Sequence, residues 1–194
     1  MHFGNSSIWR RVRIAIGLIV VAASVQAVLT PLRFPRTNSV PLGLYWLAER
    51  ASDGGPIRPG NLVLVCLPES AGALGRARGY LRSGNCPGSA EPVGKHVVAV
   101  AGDRVLVTAS GLRVNGRLYV DSAVQSVDSG GRPLDHVSGR SFVLGAEELW
   151  LFSPHPLSWD SRYYGPVNER QVRGRLIPVW TWPSRPPSRD LELR

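Results

Sequence analysis

The sequence predicts a mainly β domain preceded by one N-terminal transmembrane helix. Residues 14–30 carry no charge and are predominantly apolar. The rest of the chain consists of short apolar or alternating runs separated by Gly and Pro, with no sustained helical period, which is typical of strands. At 194 residues and 43% hydrophobic content, the chain has enough material for one core, which excludes disorder throughout.

The N-terminal run carries the membrane prediction. Residues 14–30 (IAIGLIVVAASVQAVLT) are long enough, with their flanks, to cross a bilayer core of about 30 Å. Arg10, Arg11 and Arg13 precede the run, and Arg33 is the first charged residue after it. By the positive-inside rule, the N-terminus is expected in the cytoplasm and the rest of the chain outside it.

These observations divide the chain into four segments. We expect a cytoplasmic N-terminus over 1–11, an anchor over 12–31, a β-rich domain over 32–184 and a flexible tail over 185–194, because the tail is rich in Pro and Arg. A cleaved signal peptide ending near the small residues at 25–27 is the competing interpretation of the anchor.

The domain is predicted to contain eight strands and one short helix between the cysteines, around 71–81. The centre of one strand prediction, Asn115-Gly116, suits a two-residue hairpin turn. The predicted strands cover 42–48, 61–67, 95–101, 104–109, 112–119, 141–145, 148–153 and 175–182.

The charge pattern argues against a nucleic-acid partner. The net charge is +9 and the pI is about 10.7. The basic residues are scattered between turns rather than gathered in one stripe, and no nucleic-acid motif accompanies them. A solvated basic surface is the simpler interpretation.

Cys66 and Cys86 favour a disulfide over a metal site. They are the only cysteines, and neither has a histidine or second cysteine at metal-ligand spacing. A bridge closing a loop of this length would contribute on the order of 3 kcal/mol. Two reduced, buried thiols are the alternative.

Lys95 is the only lysine among 23 basic residues, the other 22 being arginine. Arginine can supply a surface charge, but guanidinium does not deprotonate in proteins, whereas an ammonium surrounded by apolar groups can. Lys95 is therefore a candidate general base, in a strand that would place it on one face with Val97 and Ala99. A strand-end lysine reaching out to water is the competing interpretation.

Two further segments offer matching chemistry. A neutral amine within hydrogen-bond reach of Ser39 could activate that hydroxyl as a nucleophile, although a serine in a proline-containing turn more often caps backbone groups. In an extended segment Ser158, Asp160 and Arg162 would share one face, so that an ion pair braces a hydroxyl next to the amine. An ordinary structural ion pair is the alternative there.

Together these segments resemble the type I signal peptidase family of Ser/Lys proteases. The resemblance rests on Ser39, then Lys95 ahead of Gly102-Asp103, then the segment SWDSRYYG at 158–165 after an N-terminal span. The stretches TNSVPLGLYW, RARGYLRSGNCPG, GRPLDHVSG and LIPVWTW are similar to its conjugative-transfer branch, the TraF-type peptidases.

The resemblance implies a signal-peptidase-like β domain and a role for each site residue. Ser39 would be the nucleophile and Lys95 the general base, with Ser158 hydrogen-bonded to the lysine. Asp160 and Arg162 would support the segment. The Ser39 amide, together with the Thr37 hydroxyl, would form the oxyanion hole. This chemistry needs no cofactor and no metal.

The resemblance also implies a function in the inner membrane of a bacterium, with the catalytic domain in the periplasm. The substrate would be an exported protein precursor, above all a conjugative pilin precursor, released by water or by an amine if the pilin is cyclised. Membrane lipid and conjugative-transfer or type IV secretion components are the expected partners. A housekeeping type I signal peptidase, a non-catalytic anchored scaffold and a soluble self-cleaving repressor are the alternatives.

Ser39 follows the end of the apolar run by nine residues. Nine extended residues reach at most about 30 Å, so the serine is expected near the membrane–water boundary, where the span of a substrate ends. A peptide would lie there as an added strand beside Ser39 and Lys95.

Overall fold

The computed structural model describes residues 6–35, 39–49 and 55–182. It divides the chain into two compact units, Met1–Leu32 and Arg33–Arg194. The first contains a helix and the second is mainly β, as predicted. Thr37 and the predicted tail 185–194 lie outside the described residues, so the expectations for them stay predictions.

Helix α1 runs from Ser6 to Leu29. The amide of Thr30 donates to the Gln26 carbonyl at 2.8 Å, which closes the last turn. Pro31 follows, and proline cannot continue a helix because it lacks the amide hydrogen. Many of the large apolar side chains of α1 are exposed, including Leu18 and Ile19.

The helix over the apolar run is confirmed, but the predicted membrane span over 12–31 is not. Among the described residues, none of the helices combines the length and the apolarity needed to cross a membrane. Since α1 begins at Ser6, the helix includes Arg10 and Arg11, which the prediction placed ahead of the anchor, together with Arg13.

Beyond α1 the described residues form twelve strands and two further α-helices. The helices are α2 (Glu69–Ala77) and α3 (Ser161–Tyr164). The strands are β1 (Leu32–Arg33), β2 (Gly43–Glu49), β3 (Leu62–Val65), β4 (Ser83–Cys86), β5 (Val93–Ala99), β6 (Arg104–Thr108), β7 (Gly111–Val114), β8 (Arg117–Leu118), β9 (Ser141–Val143), β10 (Glu148–Phe152), β11 (Val167–Asn168) and β12 (Val172–Thr181). Every predicted strand coincides with at least one of them, and α2 corresponds to the predicted helix.

The strands assemble into two sheets. The larger has the order β1-β2-β12-β3-β5-β10-β11, and the smaller has the order β8-β7-β6-β9. Strand β12 pairs antiparallel with both β2 and β3. Strand β5 lies between β3 and β10, and Lys95 of β5 stands opposite Val63 of β3.

Strands β5 and β10 are buried on both faces. Val97 and Leu151 pack into one apolar cluster with Trp159, whereas Val98 and Trp150 pack into a second cluster against the smaller sheet. Successive side chains of a strand point to opposite faces, so both strands are nearly continuously apolar. A lysine in β5 is therefore surrounded by core.

The hairpin between β7 and β8 turns at Asn115 and Gly116, as predicted. Their φ angles are 50° and 82°. A two-residue turn with both central φ angles positive matches the right-handed twist of the flanking strands, and Asn-Gly is the pair that adopts it most readily.

The predicted disulfide is present between Cys66 and Cys86. It joins the chain just after β3 to the end of β4, and so closes a loop that contains α2. Both cysteines are buried.

Candidate active site

Lys95 is buried in the centre of the larger sheet. The residue is only 2% exposed, and its Nζ donates a hydrogen bond to Ser158 Oγ at 2.6 Å. The competing interpretation, in which this lysine reaches water from a strand end, does not fit that burial. The amine is held in the core by a specific polar partner.

Burial lowers the pKa of Lys95 from 10.5 to about 8, because the charged form loses its hydration. The Asp160 carboxylate acts in the opposite direction and raises this pKa, while the Arg162 guanidinium lowers it. With a pKa of about 8, about a quarter of the amines are neutral at pH 7.5, against about one in a thousand for an ordinary lysine.

His96, the next residue in β5, is half-buried. Burial, and then the charge of Lys95, lower the pKa of His96 to about 4. The imidazole is therefore neutral at physiological pH and places no second positive charge next to the lysine.

Ser158 lies in a turn between β10 and α3, and its amide donates to the His155 carbonyl at 3.0 Å. The sequence predicts an extended segment over 158–162, and this prediction is wrong after Asp160. Helix α3 begins at Ser161, and Asp160 is its N-cap, with a side chain that accepts from the Arg162 amide. A carboxylate at an N-cap satisfies a free helical amide, which explains the start of the helix there.

Asp160 and Arg162 form a bidentate ion pair with both side chains fully buried. Arg162 Nε donates to Asp160 Oδ1 and Nη2 donates to Oδ2, each at 2.8 Å. The remaining polar atoms also have partners, since Arg162 Nη1 donates to the Ala123 carbonyl at 2.9 Å and the Ser153 amide donates to Asp160 Oδ2 at 3.3 Å. A buried pair with this many hydrogen bonds offsets much of its desolvation cost.

Ser39 lies in a turn ahead of β2 and is partly buried. The adjoining residue, Val40, is 5% exposed and packs beside Gly94, where an added Cβ would meet Val40 Cγ1 at 3.4 Å. Gly94 directly precedes Lys95. Ser39 and Lys95 are therefore each one residue away from the same contact. Thr37, the second predicted oxyanion-hole residue, lies outside the described residues.

A groove of about 460 Å³ lies next to this contact. Its lining includes Pro41 and His96, which follow Ser39 and Lys95 in the chain by two residues and one residue, and apolar side chains of β12 such as Leu176 and Ile177. The Pro41 carbonyl accepts a hydrogen bond from the Tyr45 hydroxyl at 2.7 Å, which fixes one wall of the groove.

The sequence analysis predicts no individual role for two residues of this region, Trp159 and Ser161. Trp159 donates from Nε1 to the Ala71 carbonyl at 3.1 Å, and Ser161 Oγ accepts from the Leu151 amide at 3.0 Å. Both stand inside the segment SWDSR, between residues that were singled out. Their position next to candidate residues was the available signal, but their partners are 88 and 10 residues away along the chain, which no local pattern reveals.

Comparison with known families gives a match over nearly the whole chain. Residues 8–182 match the family described as signal peptidase, peptidase S26. A signal peptidase I of known structure from Enterococcus faecalis covers 62% of this chain, and 97% of that protein is matched, at 15% identity with a TM-score of 0.35.

Three curated proteins are considerably more similar in sequence. Two plasmid transfer proteins TraF from Escherichia coli are 40% identical over 75% of this chain and 81% of theirs, and 37% identical over 88% of this chain and 97% of theirs. A conjugal transfer protein TraF from Agrobacterium fabrum is 37% identical over 86% of this chain and 92% of its own length.

Proposed function

Because this chain belongs to the signal peptidase family, peptidase S26, we propose that it is a serine endopeptidase in which Ser39 is the nucleophile and Lys95 the general base. The observation that carries the proposal is the buried Lys95 amine, whose pKa is lowered to about 8. The adjacent histidine of the same strand, His96, is uncharged near neutral pH. A site that maintains a partly neutral amine in its core usually uses it.

In the proposed reaction, Ser39 Oγ attacks the scissile carbonyl while its proton passes to the neutral Nζ of Lys95. The ammonium then returns that proton to the leaving amine, and the peptide bond breaks to give an acyl-enzyme. The Ser39 amide, with the Thr37 hydroxyl, would stabilise the oxyanion. The packing of Val40 on Gly94 supports this assignment, since it brings the two chain segments together.

Ser158, Asp160 and Arg162 would orient the base. Ser158 Oγ accepts one proton of the Lys95 amine at 2.6 Å, which leaves the other Nζ positions for the nucleophile. The Asp160–Arg162 pair fixes the turn from which Ser158 projects, and its opposite charges limit the net field at the amine.

The substrate we propose is an exported precursor whose leader is removed, specifically a conjugative pilin precursor. The relatives named as plasmid or conjugal transfer proteins support this choice. The groove beside Pro41 and His96 has room for an extended peptide, which could add as a strand along β-structure there. Release of the acyl group by water gives a linear product, and release by the pilin's own amine gives a cyclic one.

We further propose that the enzyme works at the bacterial inner membrane, with the β domain over 32–184 in the periplasm. The exposed apolar side chains of α1 support membrane association. The disulfide between Cys66 and Cys86 supports an oxidising compartment.

The test is co-expression of the chain with a tagged pilin precursor encoded near its gene, followed by measurement of the product mass. Wild type should give a product shortened by the leader, and Ser39→Ala and Lys95→Arg should leave the precursor intact. Ser141→Ala, an exposed serine of β9, is the matched control and should process normally. A linear product is 18 Da heavier than a cyclic one because it retains a water molecule.

Full processing by Lys95→Arg would refute the mechanism, since arginine keeps the charge but cannot act as the base. Conjugation that persists with Ser39→Ala would point instead to a non-catalytic scaffold. A general block of secretion on depletion would point to a housekeeping signal peptidase.

A further inference from the structure

Trp159 stands in the chain between Ser158, which accepts a hydrogen bond from the Lys95 amine, and Asp160, whose charge acts on that amine. It is 9% exposed, and its ring stacks on Tyr163 with centroids 5.4 Å apart and planes 19° apart. Its backbone therefore joins Ser158 to Asp160, while its ring packs in the apolar cluster that also contains Val63 and Val97.

The side chain of Trp159 packs against the loop closed by the disulfide, residues 66–86, hereafter the disulfide loop. Its Nε1 donates to the Ala71 carbonyl at 3.1 Å, and its ring lies 5.5 Å from that of Tyr80. Helix α2 approaches closely because it has glycine at position 75, where an added Cβ would meet Leu81 Cδ1 at 2.8 Å and Trp159 Nε1 at 3.4 Å.

The disulfide loop is in turn fixed to the strand beside Lys95. Cys66 follows β3 directly, and Val63 of β3 stands opposite Lys95 while Val65 stands opposite Val93. Lys95 is thus connected to Trp159 in two ways. One connection runs across β3 and through the disulfide loop, and the other runs through Ser158, whose Oγ accepts from the Lys95 amine.

We propose that Trp159 is a positioning residue, whose contacts with the disulfide loop hold Ser158 Oγ against the Lys95 amine. Its catalytic meaning rests on the proposed function, while the geometric claim does not. Without the contacts between Trp159 and the disulfide loop, the turn carrying Ser158 loses a buried hydrogen bond and aromatic packing, and water gains access to the Lys95 amine.

Hydration of Lys95 has a measurable consequence. Among the described residues, the charged and polar groups that act on its amine include Asp160, Arg162 and Ser158 from the segment after β10, and His96 from β5. Since burial is the largest cause of its lowered pKa, loosening the turn raises this pKa toward that of an ordinary lysine. A rise of one unit lowers the neutral fraction at pH 7 about tenfold.

The experiment uses the single lysine as its own probe. Full-length protein carrying 15N at the lysine ε-position gives one side-chain NMR signal from Lys95, and its shift against pH gives a titration midpoint without any substrate. Trp159→Phe removes the indole donor and should raise the midpoint by about one unit. Processing of the tagged precursor by this variant should fall near neutral pH and recover at higher pH.

Trp150→Phe is the matched control. Trp150 is fully buried in the second apolar cluster, and within the described residues its Nε1 has no hydrogen-bond partner. The same substitution there should leave the Lys95 midpoint where it is in wild type.

A second measurement decides the matter if Trp159→Phe does not fold. Reduction of the wild-type disulfide, verified by mass after alkylation, should raise the Lys95 midpoint in the same direction, and the Cys66→Ala/Cys86→Ala double variant should not respond to reductant. An unchanged midpoint in folded Trp159→Phe would overturn the proposal. If that variant does not fold, an unchanged midpoint in the reduced protein would overturn it. A raised midpoint in a protein whose Ser39→Ala variant still processes would keep the positioning claim and refute the proposed function.

Discussion

Two aspartate–arginine pairs in this chain consist of the same residue types, each within one short segment, and differ in what surrounds them. Asp160 pairs with Arg162 and Asp128 pairs with Arg132. The first pair is completely buried, whereas the Arg132 side chain is 45% exposed and that of Asp128 is 4% exposed. Only the first pair acts electrostatically on the buried Lys95.

Asp128 organises a surface loop. Its carboxylate accepts from the Tyr80 hydroxyl, from the Gly130 and Arg132 amides at 2.8 and 2.9 Å, and from Arg132 Nε at 2.7 Å. The Tyr80 hydrogen bond, followed by those of Arg132 and Gly130, holds the pKa of Asp128 well below its usual range. This pair therefore ties one loop to the disulfide loop.

The influence of these two ion pairs on the candidate site therefore depends on which groups lie near them. At the amine of Lys95, the effects of Asp160 and Arg162 have opposite signs. The pair can therefore brace the turn with full charges and still leave burial as the main control of the lysine.

The largest expected effect is that of Asp160→Asn. Breaking a buried pair leaves an uncompensated guanidinium, so we expect a loss of about 3–5 kcal/mol in unfolding free energy, measured by urea denaturation. Asp128→Asn is the paired variant, and an equal or larger loss of unfolding free energy there would contradict the ranking of the two pairs by burial.

The next effect concerns the pH dependence of stability. Lys95 has a pKa of about 8 in the folded state and 10.5 as its ordinary value, so the unfolded chain binds more protons between these values and stability rises with pH there. Relative to Lys95→Met, the wild type should gain about 3 kcal/mol between pH 7 and pH 11.

Unfolding free energies of both proteins across that range would test this expectation. A constant difference between them would mean that the lysine is hydrated and charged in the folded protein.

A smaller effect is expected on the acid side. Because the pKa of Asp128 is lowered by folding, its contribution to stability is present above about pH 4 and is lost as the pH falls below that value. The decrease in melting temperature from pH 6 to pH 3 should therefore be larger in the wild type than in Asp128→Asn. If both fall equally, the carboxylate does not support the loop in solution.

The smallest effect is expected at the surface. Glu147 and Arg170 pair at 2.7 Å, with side chains 45% and 77% exposed. Such pairs contribute about 0.2–1 kcal/mol, so Arg170→Gln should change the unfolding free energy by less than 1 kcal/mol and leave the Lys95 midpoint unaltered. A larger change would show that exposure does not rank these pairs.

Local patterns predicted the strands and the hairpin at Asn115 because alternation and turn chemistry are encoded within a few residues. The importance of Lys95 was also readable, because it is the only lysine in an arginine-rich chain. The helix at Ser161 was missed because its start depends on capping by Asp160, which competes with an apparent alternation.

The contact between Trp159 and the Ala71 carbonyl could not be predicted from the sequence, because the fold and the disulfide bring these distant residues together. The membrane span was predicted from the uncharged run and its flanks, whereas the helix begins earlier, at Ser6, and includes all three arginines that precede that run.

The most direct test is the titration of the Lys95 amine in the wild-type full chain, followed by its single 15N signal. The account predicts one midpoint near pH 8, where a substantial fraction of the amine is free to accept the proton of Ser39. A midpoint near 10.5 would contradict it, because the lysine would then be a hydrated cation and no base would stand at this position.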